Sequence, residues 1–279
     1  MTSKIIDGKA HAAAIRKEVK DIITSHGGAA PHLAVVLVGE NPASLVYIKH
    51  KQGACEEIGI NFSLHSLPET ATQQEVLNTI DALNNNPDVH GILVQQPLPP
   101  KLNTHEVVLR VDPKKDVDCL HPHNLGLVAM GQAQMLPCTP SGVVNLLKRE
   151  NIDISGKHAV IVGRSNIVGK PLAFMLLEEN ATITICHSRT KNLPQVCQTA
   201  DILVAAIGDA NYITADYVKE GAVVIDVGIN RQGKKLCGDV DYKNVLAKAS
   251  YITPVPGGVG PMTVAILMEN CVRAYRLQR

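Results

Sequence analysis

Apolar positions along this chain follow two rhythms that take turns. Unbroken apolar runs such as "HLAVVLV" (32–38) and "VHGILVQ" (89–95) lack polar alternation, as strands buried on both faces do. The stretch "ASLVYIKHKQGACEEIG" (43–59) instead repeats at helical spacing, with Leu45, Ile48, Cys55 and Ile58 apolar. In "TQQEVLNTIDALNNN", Thr72 and Glu75 have capping-box spacing, and Val76, Leu77, Ile80 and Leu83 make one face. The first half therefore predicts helix, strand, helix, strand, helix, strand, helix.

The second half is more regular. Strands are expected at 158–162, 182–186, 202–206, 222–227 and 251–253, with helices between. That is the rhythm of a doubly wound parallel sheet. Between the halves, residues 111–138 are rich in Pro, Gly and His and have little period, which suits a long functional loop or an interdomain crossing. Thr139 and Pro140 then fit a helix start, the threonine as cap and the proline in the first turn. The last stretch, "TVAILMENCVRAYRLQ", reads as a helix that can cross back to the first half. The fold class expected is α/β, with two α/β domains about a cleft and the second Rossmann-like. Residues 1–138 with 264–279 would form one domain and 139–263 the other.

Composition narrows the options. With 45% apolar residues, no Trp and two Phe, the core must be mainly aliphatic. A net charge of +1 with scattered basic residues gives no electrostatic case for nucleic acid. Seven cysteines without a C-x-x-C pair predict reduced thiols in a cytoplasmic protein, with neither a disulfide framework nor a metal site. The charged N-terminus has no leader pattern, and no run is long enough to span a membrane.

The chemistry concentrates in a few segments. "GRSNIVGKP" (163–171) lies between a strand and a helix, where a dinucleotide phosphate binds, but it breaks the usual G-x-G-x-x-G pattern. Gly163 can make the turn and Gly169 can let the helix pack closely. Ser165 offers a hydroxyl and Arg164 a fork of donors. Alone, the loop is equally compatible with a cofactor role and with a structural turn. The strand "TITIC" ends in His187, Ser188, Arg189 and Thr190, without the carboxylate that holds an NAD ribose. Arg164, Ser188 and Arg189 would attract a 2′-phosphate, which favours NADP over NAD. A solvated loop charge is the plain alternative for Arg189.

In the first half, Tyr47 and Lys51 stand four apart on one helical face. Gln95 or Gln96 stands at a strand's carboxyl end, where α/β proteins place functional groups. Asp116 and Asp118 read as neighbours on one side of an extended segment. "TPVPGGVGPMT" (253–263) combines stiffness with exposed backbone N–H groups. A dehydrogenase acting on a small acid would need a carboxylate-binding arginine, and Arg110 is the one good candidate, placed in a helical pattern.

Taken together, "YIKHK", "GILVQQPLP", "PKKDVD", "PCTPSG", "GRSNIVGKP", "DVGIN", "GDVD" and "PVPGGVGPMT" closely resemble the bifunctional methylenetetrahydrofolate dehydrogenase/cyclohydrolase family over nearly the whole chain. The resemblance implies two α/β domains and a homodimer formed through the cofactor domains. It implies NADP-dependent oxidation of 5,10-methylenetetrahydrofolate, then hydrolysis to 10-formyltetrahydrofolate, in one-carbon metabolism. Lys51 would be the central catalytic residue, with Tyr47 against the folate, Gln95 bonded to Lys51 and Asp118 on the pterin edge. Gly163, Arg164, Ser165, Ser188 and Ile229 would contact the cofactor, with Thr263 at its nicotinamide end. Pro256, Gly257 and Gly258 would line the folate side. Two positions depart from the family: Cys119 replaces a usual glycine, and Gln96 replaces a usual leucine. Should position 119 need a positive φ, cysteine there is strained.

A neutral Lys51 suits this chemistry. The methenyl product is a cation, a second cation beside it is unfavourable, and desolvation disfavours a lysine's charged form. Such an amine can activate water, and Gln95 can orient it without adding charge.

Overall fold

A computed structural model describes residues 4–25, 30–233 and 235–279; the first three residues of the charged N-terminal stretch lie outside it. The chain forms β1 (Lys4–Ile5), α1 (Gly8–Ser25), β2 (His32–Val38), α2 (Pro42–Ile58), β3 (Asn61–Leu67), α3 (Gln73–Asn85), β4 (Gly91–Val94), α4 (Thr104–Arg110) and α5 (Pro122–Ala129). It continues as α6 (Cys138–Arg149), β5 (His158–Val162), α7 (Gly169–Glu178), β6 (Thr182–Cys186), α8 (Leu193–Cys197), β7 (Ile202–Ala205) and β8 (Val223–Asp226). A hairpin of β9 (Asn230–Gln232) and β10 (Lys235–Cys237), then α9 (Tyr242–Val245), β11 (Tyr251–Ile252) and α10 (Val259–Leu277), complete it. No helix among the described residues is long and apolar enough to cross a membrane.

Two compact units result. One contains Ala14–Pro137 and Val264–Arg279; the other contains the chain up to Ala13 and Cys138–Thr263. The first holds a three-stranded parallel sheet in the order β3-β2-β4. Its core includes Val36 and Val38 of β2, packed with Val76, Leu77, Ile80 and Leu83 from α3, the four residues expected on that face. Thr72 and Glu75 form the expected capping box. Helix α2 starts because Asn41 accepts hydrogen bonds from the Ala43 and Ser44 N–H groups, with Pro42 in the first turn. It stops at Gly59, whose φ of 84° only glycine adopts freely. Its buried stripe is Ile48, Lys51, Ala54, Cys55 and Ile58. Leu45, expected on that stripe, is exposed in the first turn.

Residues 111–138 are more ordered than expected. They hold a set of turns and then α5, which His121 caps by accepting the His123 N–H on its ring Nδ1. Asp116 and Asp118 do not share one side of an extended segment. Asp116 is buried and accepts from the His121 and Leu120 N–H groups and from Asn124 Nδ2, at 2.9, 3.3 and 2.9 Å. Asp118 remains partly exposed in the turn. Asn270 of α10 ties this segment down by donating to the Val117 and Leu136 carbonyls. Lys115, to which no role fell from the sequence, is buried with its Nζ on the Leu83, Asn84 and Asn86 carbonyls, at the carboxyl end of α3. Cations are favoured at that end of a helix.

The second unit holds a six-stranded, all-parallel sheet in the order β1-β11-β8-β7-β5-β6. The five strands expected from the sequence are present, with no strand trimmed by more than two residues. The boundary expected near residue 138 also changes at the N-terminus. Strand β1 pairs with β11, Lys4 beside Tyr251 and Ile5 beside Ile252, so the first residues join this unit. Helix α6 begins at Cys138, and the Thr139 hydroxyl lies 3.0 Å from the Thr263 hydroxyl.

Candidate active site

The three-stranded unit brings Lys51 and Gln95 together. Lys51 is on the buried stripe of α2, and Gln95 follows β4, continuing its ladder by donating N–H to the Val36 carbonyl. Lys51 Nζ donates to Gln95 Oε1 at 2.8 Å, and Gln95 Nε2 donates to the Gln96 carbonyl at 2.6 Å. Both side chains are 9% exposed. An ammonium or amine N–H requires an acceptor, so the amide orientation follows from the pairing itself. The choice between the two glutamines is thereby made: Gln95 carries the contact, while Gln96 contributes its carbonyl and stays partly exposed. Tyr47 lies one turn before Lys51 and is half-buried; burial pushes its hydroxyl pKa up. Asp118 stands two residues past Asp116, which bridges to Ile92 of β4.

Just beyond Asp118, Cys119 has φ 56° and is fully buried. The strain that sequence alone left conditional is therefore present in the fold.

In the six-stranded unit every strand runs the same way, so the loops after β5, β6, β7, β8 and β11 share one edge of the sheet. Ligands of open α/β sheets bind at that carboxyl edge. Gly163 follows β5 with φ 139°, and a Cβ there would overlap the Ala206 carbonyl oxygen. A Cβ on Gly169 would overlap the Gly163 carbonyl oxygen. The two glycines thus do what the sequence suggested: one turns the chain and the other lets α7 close on the strand. Ser165 Oγ accepts the Val168 N–H at 3.1 Å, and α7 has no side-chain cap. The Lys170 N–H is taken by the Ser165 carbonyl and Pro171 has no N–H, so it is the positive end of the helix dipole that suits an anion. This cradle fits a dinucleotide phosphate.

Strand β6 lies beside β5, with Cys186 opposite Val162 and the Gly163 N–H on the Cys186 carbonyl at 2.9 Å. Arg164 and Ser165 after one strand, and Ser188 and Arg189 after the other, therefore project from adjacent loops, all exposed. Ile229, exposed after β8, sits between two anchored residues. Pro256 is exposed after a cis peptide, and Gly257 has φ 112°. A Cβ on Gly8 would overlap the Gly258 carbonyl oxygen, and one on Gly258 would crowd the Pro254 carbonyl oxygen and the Thr253 side chain. Thr263 lies in the first turns of α10.

The sequence held further signals here that no role was assigned to. Asp226 of "DVGIN" and Asp239 of "GDVD" are buried and interlocked. Asp226 accepts the Gly228, Asp239 and Val240 N–H groups, and Asp239 accepts the Ile207 and Gly208 N–H groups and Asn230 Nδ2. Gly228 and Gly238 have no room for a Cβ against these carboxylates. Burial raises the Asp226 pKa to about 6, against the pull of its three N–H bonds. Among the described residues, no group of three or more His, Cys, Asp or Glu side chains is placed to hold a metal ion.

Two family models match the chain: the catalytic domain of tetrahydrofolate dehydrogenase/cyclohydrolase over residues 6–118, and its NAD(P)-binding domain over 137–279. The bifunctional protein FolD of Halalkalibacterium halodurans is 53% identical over 278 residues, covering 99% of this chain and 100% of its own. The solved structure of the bifunctional FolD dehydrogenase/cyclohydrolase of Campylobacter jejuni has a TM-score of 0.95 at 48% identity, over 99% of this chain and 100% of that one. The Trypanosoma brucei enzyme, solved in complex with NADP cofactor and an inhibitor, has a TM-score of 0.94 at 34% identity, over 99% of this chain and 98% of that one.

Proposed function

The chain belongs to the tetrahydrofolate dehydrogenase/cyclohydrolase family, and on that premise we propose that it oxidises 5,10-methylenetetrahydrofolate with NADP and hydrolyses the methenyl product to 10-formyltetrahydrofolate. The observation that carries this reading is the buried Lys51–Gln95 pair. A lysine held by an uncharged amide, out of water, is suited to act as a neutral base.

NADP, when bound, accepts the hydride. The protein's own part in that step is placement, since hydride transfer needs near-attack geometry more than acid or base help. In this reading Gly163, Arg164, Ser165, Ser188, Arg189, Ile229 and Thr263 hold the cofactor. Tyr47 packs on the folate, Asp118 accepts two N–H bonds from the pterin edge, and Pro256, Gly257 and Gly258 line the folate side. For hydrolysis, Lys51 Nζ takes a proton from the water that attacks the methenyl carbon. It returns that proton to the ring nitrogen as the carbon–nitrogen bond breaks, and the adduct's remaining hydroxyl proton leaves to solvent as the formyl carbonyl forms. Gln95 holds the amine in line and, unlike a carboxylate, does not stabilise its charged form.

The reading includes a homodimer through the six-stranded unit. Phe174 and Leu177 of α7 and Ile185 of the edge strand β6 are exposed apolar residues on adjoining elements, as a second copy would require. It also includes a reducing, cytoplasmic setting, which suits seven free cysteines, six of them buried.

The test is a spectrophotometric assay with methylenetetrahydrofolate and NADP. NADPH should accumulate while the methenyl signal forms and then decays. Absence of NADPH formation would refute the dehydrogenase reading. A higher kcat/KM for NAD than for NADP would refute the roles of Arg164, Ser188 and Arg189.

A further inference from the structure

The turn after β6 is closed on itself by two residues that need not touch a ligand. The Thr190 N–H donates to the His187 carbonyl at 2.8 Å, making a four-residue turn. The Thr190 hydroxyl accepts the His187 N–H at 2.9 Å, and His187 Nδ1 accepts the Arg189 N–H at 3.1 Å. Three of the turn's four N–H groups are thereby used internally. The two central residues, Ser188 and Arg189, are pushed outward and exposed, beside Gly163 and Arg164 of the neighbouring loop. Both locking side chains are partly buried at the base of the turn.

We propose that His187 and Thr190 are positioning residues for cofactor specificity: they fix the turn so that Ser188 and Arg189 meet the 2′-phosphate of NADP. The proposal rests on the reading of Arg164, Ser188 and Arg189 as the phosphate site. A guanidinium recognises phosphate through directed paired bonds, so its attachment point must be held. A loose turn would keep the charge but lose the geometry. NAD lacks that phosphate, so its binding does not depend on the lock.

The roles of the locking atoms are specific enough to separate from general stability. Thr190→Val keeps shape and removes the hydroxyl acceptor. Thr190→Ser keeps the acceptor. His187→Asn can accept the N–H two residues on, as asparagine does in such turns; His187→Leu cannot. Dissociation constants for NADP and NAD are measured by titration calorimetry on the intact protein, with melting temperatures alongside. Thr190→Val and His187→Leu should weaken NADP binding about tenfold and leave NAD binding within about twofold. Thr190→Ser and His187→Asn should restore the NADP preference. If Thr190→Val and His187→Leu leave the NADP-to-NAD ratio unchanged, or weaken both cofactors equally, the proposal is overturned. Ser188→Ala and Arg189→Ala separate the two possible failures. If these also leave the ratio unchanged, the phosphate-site reading itself fails; if they lower it and the locking variants do not, only the positioning role fails.

Discussion

Lys51 Nζ donates to Gln95 Oε1 at 2.8 Å, joining the buried stripe of α2 to the carboxyl end of β4. The pairing is between a lysine and a neutral amide. Replacing that amide by a carboxylate changes the charge without changing the reach. Gln95→Glu should hold the Lys51 amine in its charged form. Methenyl hydrolysis at pH 7 should then fall by about 10-fold or more, and recover partly at higher pH. A rate equal to wild type across pH 7–9 would show that the amine's charge state does not matter.

The cofactor cradle depends on missing side chains. Gly163→Ala must place a Cβ against the Ala206 carbonyl at φ 139°, and Gly169→Ala must place one against the Gly163 carbonyl. Each should cost about 1–3 kcal/mol of stability and weaken NADP binding by about tenfold or more. Chemical denaturation and cofactor titration measure the two effects. Wild-type values in both variants would mean that the loop moves aside freely.

Cys119 combines a left-handed backbone with full burial. Cys119→Ala loses the sulfur and keeps the strained Cβ. Cys119→Gly loses the sulfur and gains backbone freedom at φ 56°. The glycine variant should therefore be the more stable of the two by about 1 kcal/mol. Thermal melts of both variants would expose a reversed order.

Asp226 should titrate unusually high. Its pKa is raised by burial from 3.8 to about 6, so the folded chain holds this proton more readily than the unfolded chain between those values. Its contribution to stability is full below pH 3.8 and is lost as pH rises through about 6. A carbon NMR titration of the Asp226 carboxyl should show a midpoint near 6. A midpoint in the ordinary carboxylate range would contradict the burial argument.

Much of this fold could be read in the residues because its signals are local. β2, β5, β7 and β8 announce themselves as apolar runs, β6 as an alternation of Thr and Ile, and α3 carries its own capping box. Gly163 and Gly169 could be read because a strand, a turn and a helix follow one another within a dozen residues. What escaped notice depends on partners far apart in the chain. β1 has two residues and no period; only its pairing with Tyr251 and Ile252 makes it a strand. Asp239 accepts N–H groups from Ile207 and Gly208, about thirty residues away, and no spacing rule announces that. Asp116 and Asp118 look alike in "KDVD", yet a turn buries the first and leaves the second partly exposed. Gln95 and Gln96 were separable only once the position of Lys51 was known.

The central claim is that Lys51 is the base for hydrolysis. Purified wild type and Lys51→Met are compared for decay of added methenyltetrahydrofolate, with NADP affinity measured on the same samples. The account predicts that the variant loses hydrolysis by about 100-fold or more and binds NADP as wild type does. Hydrolysis near the wild-type rate in a variant that still binds NADP would contradict it.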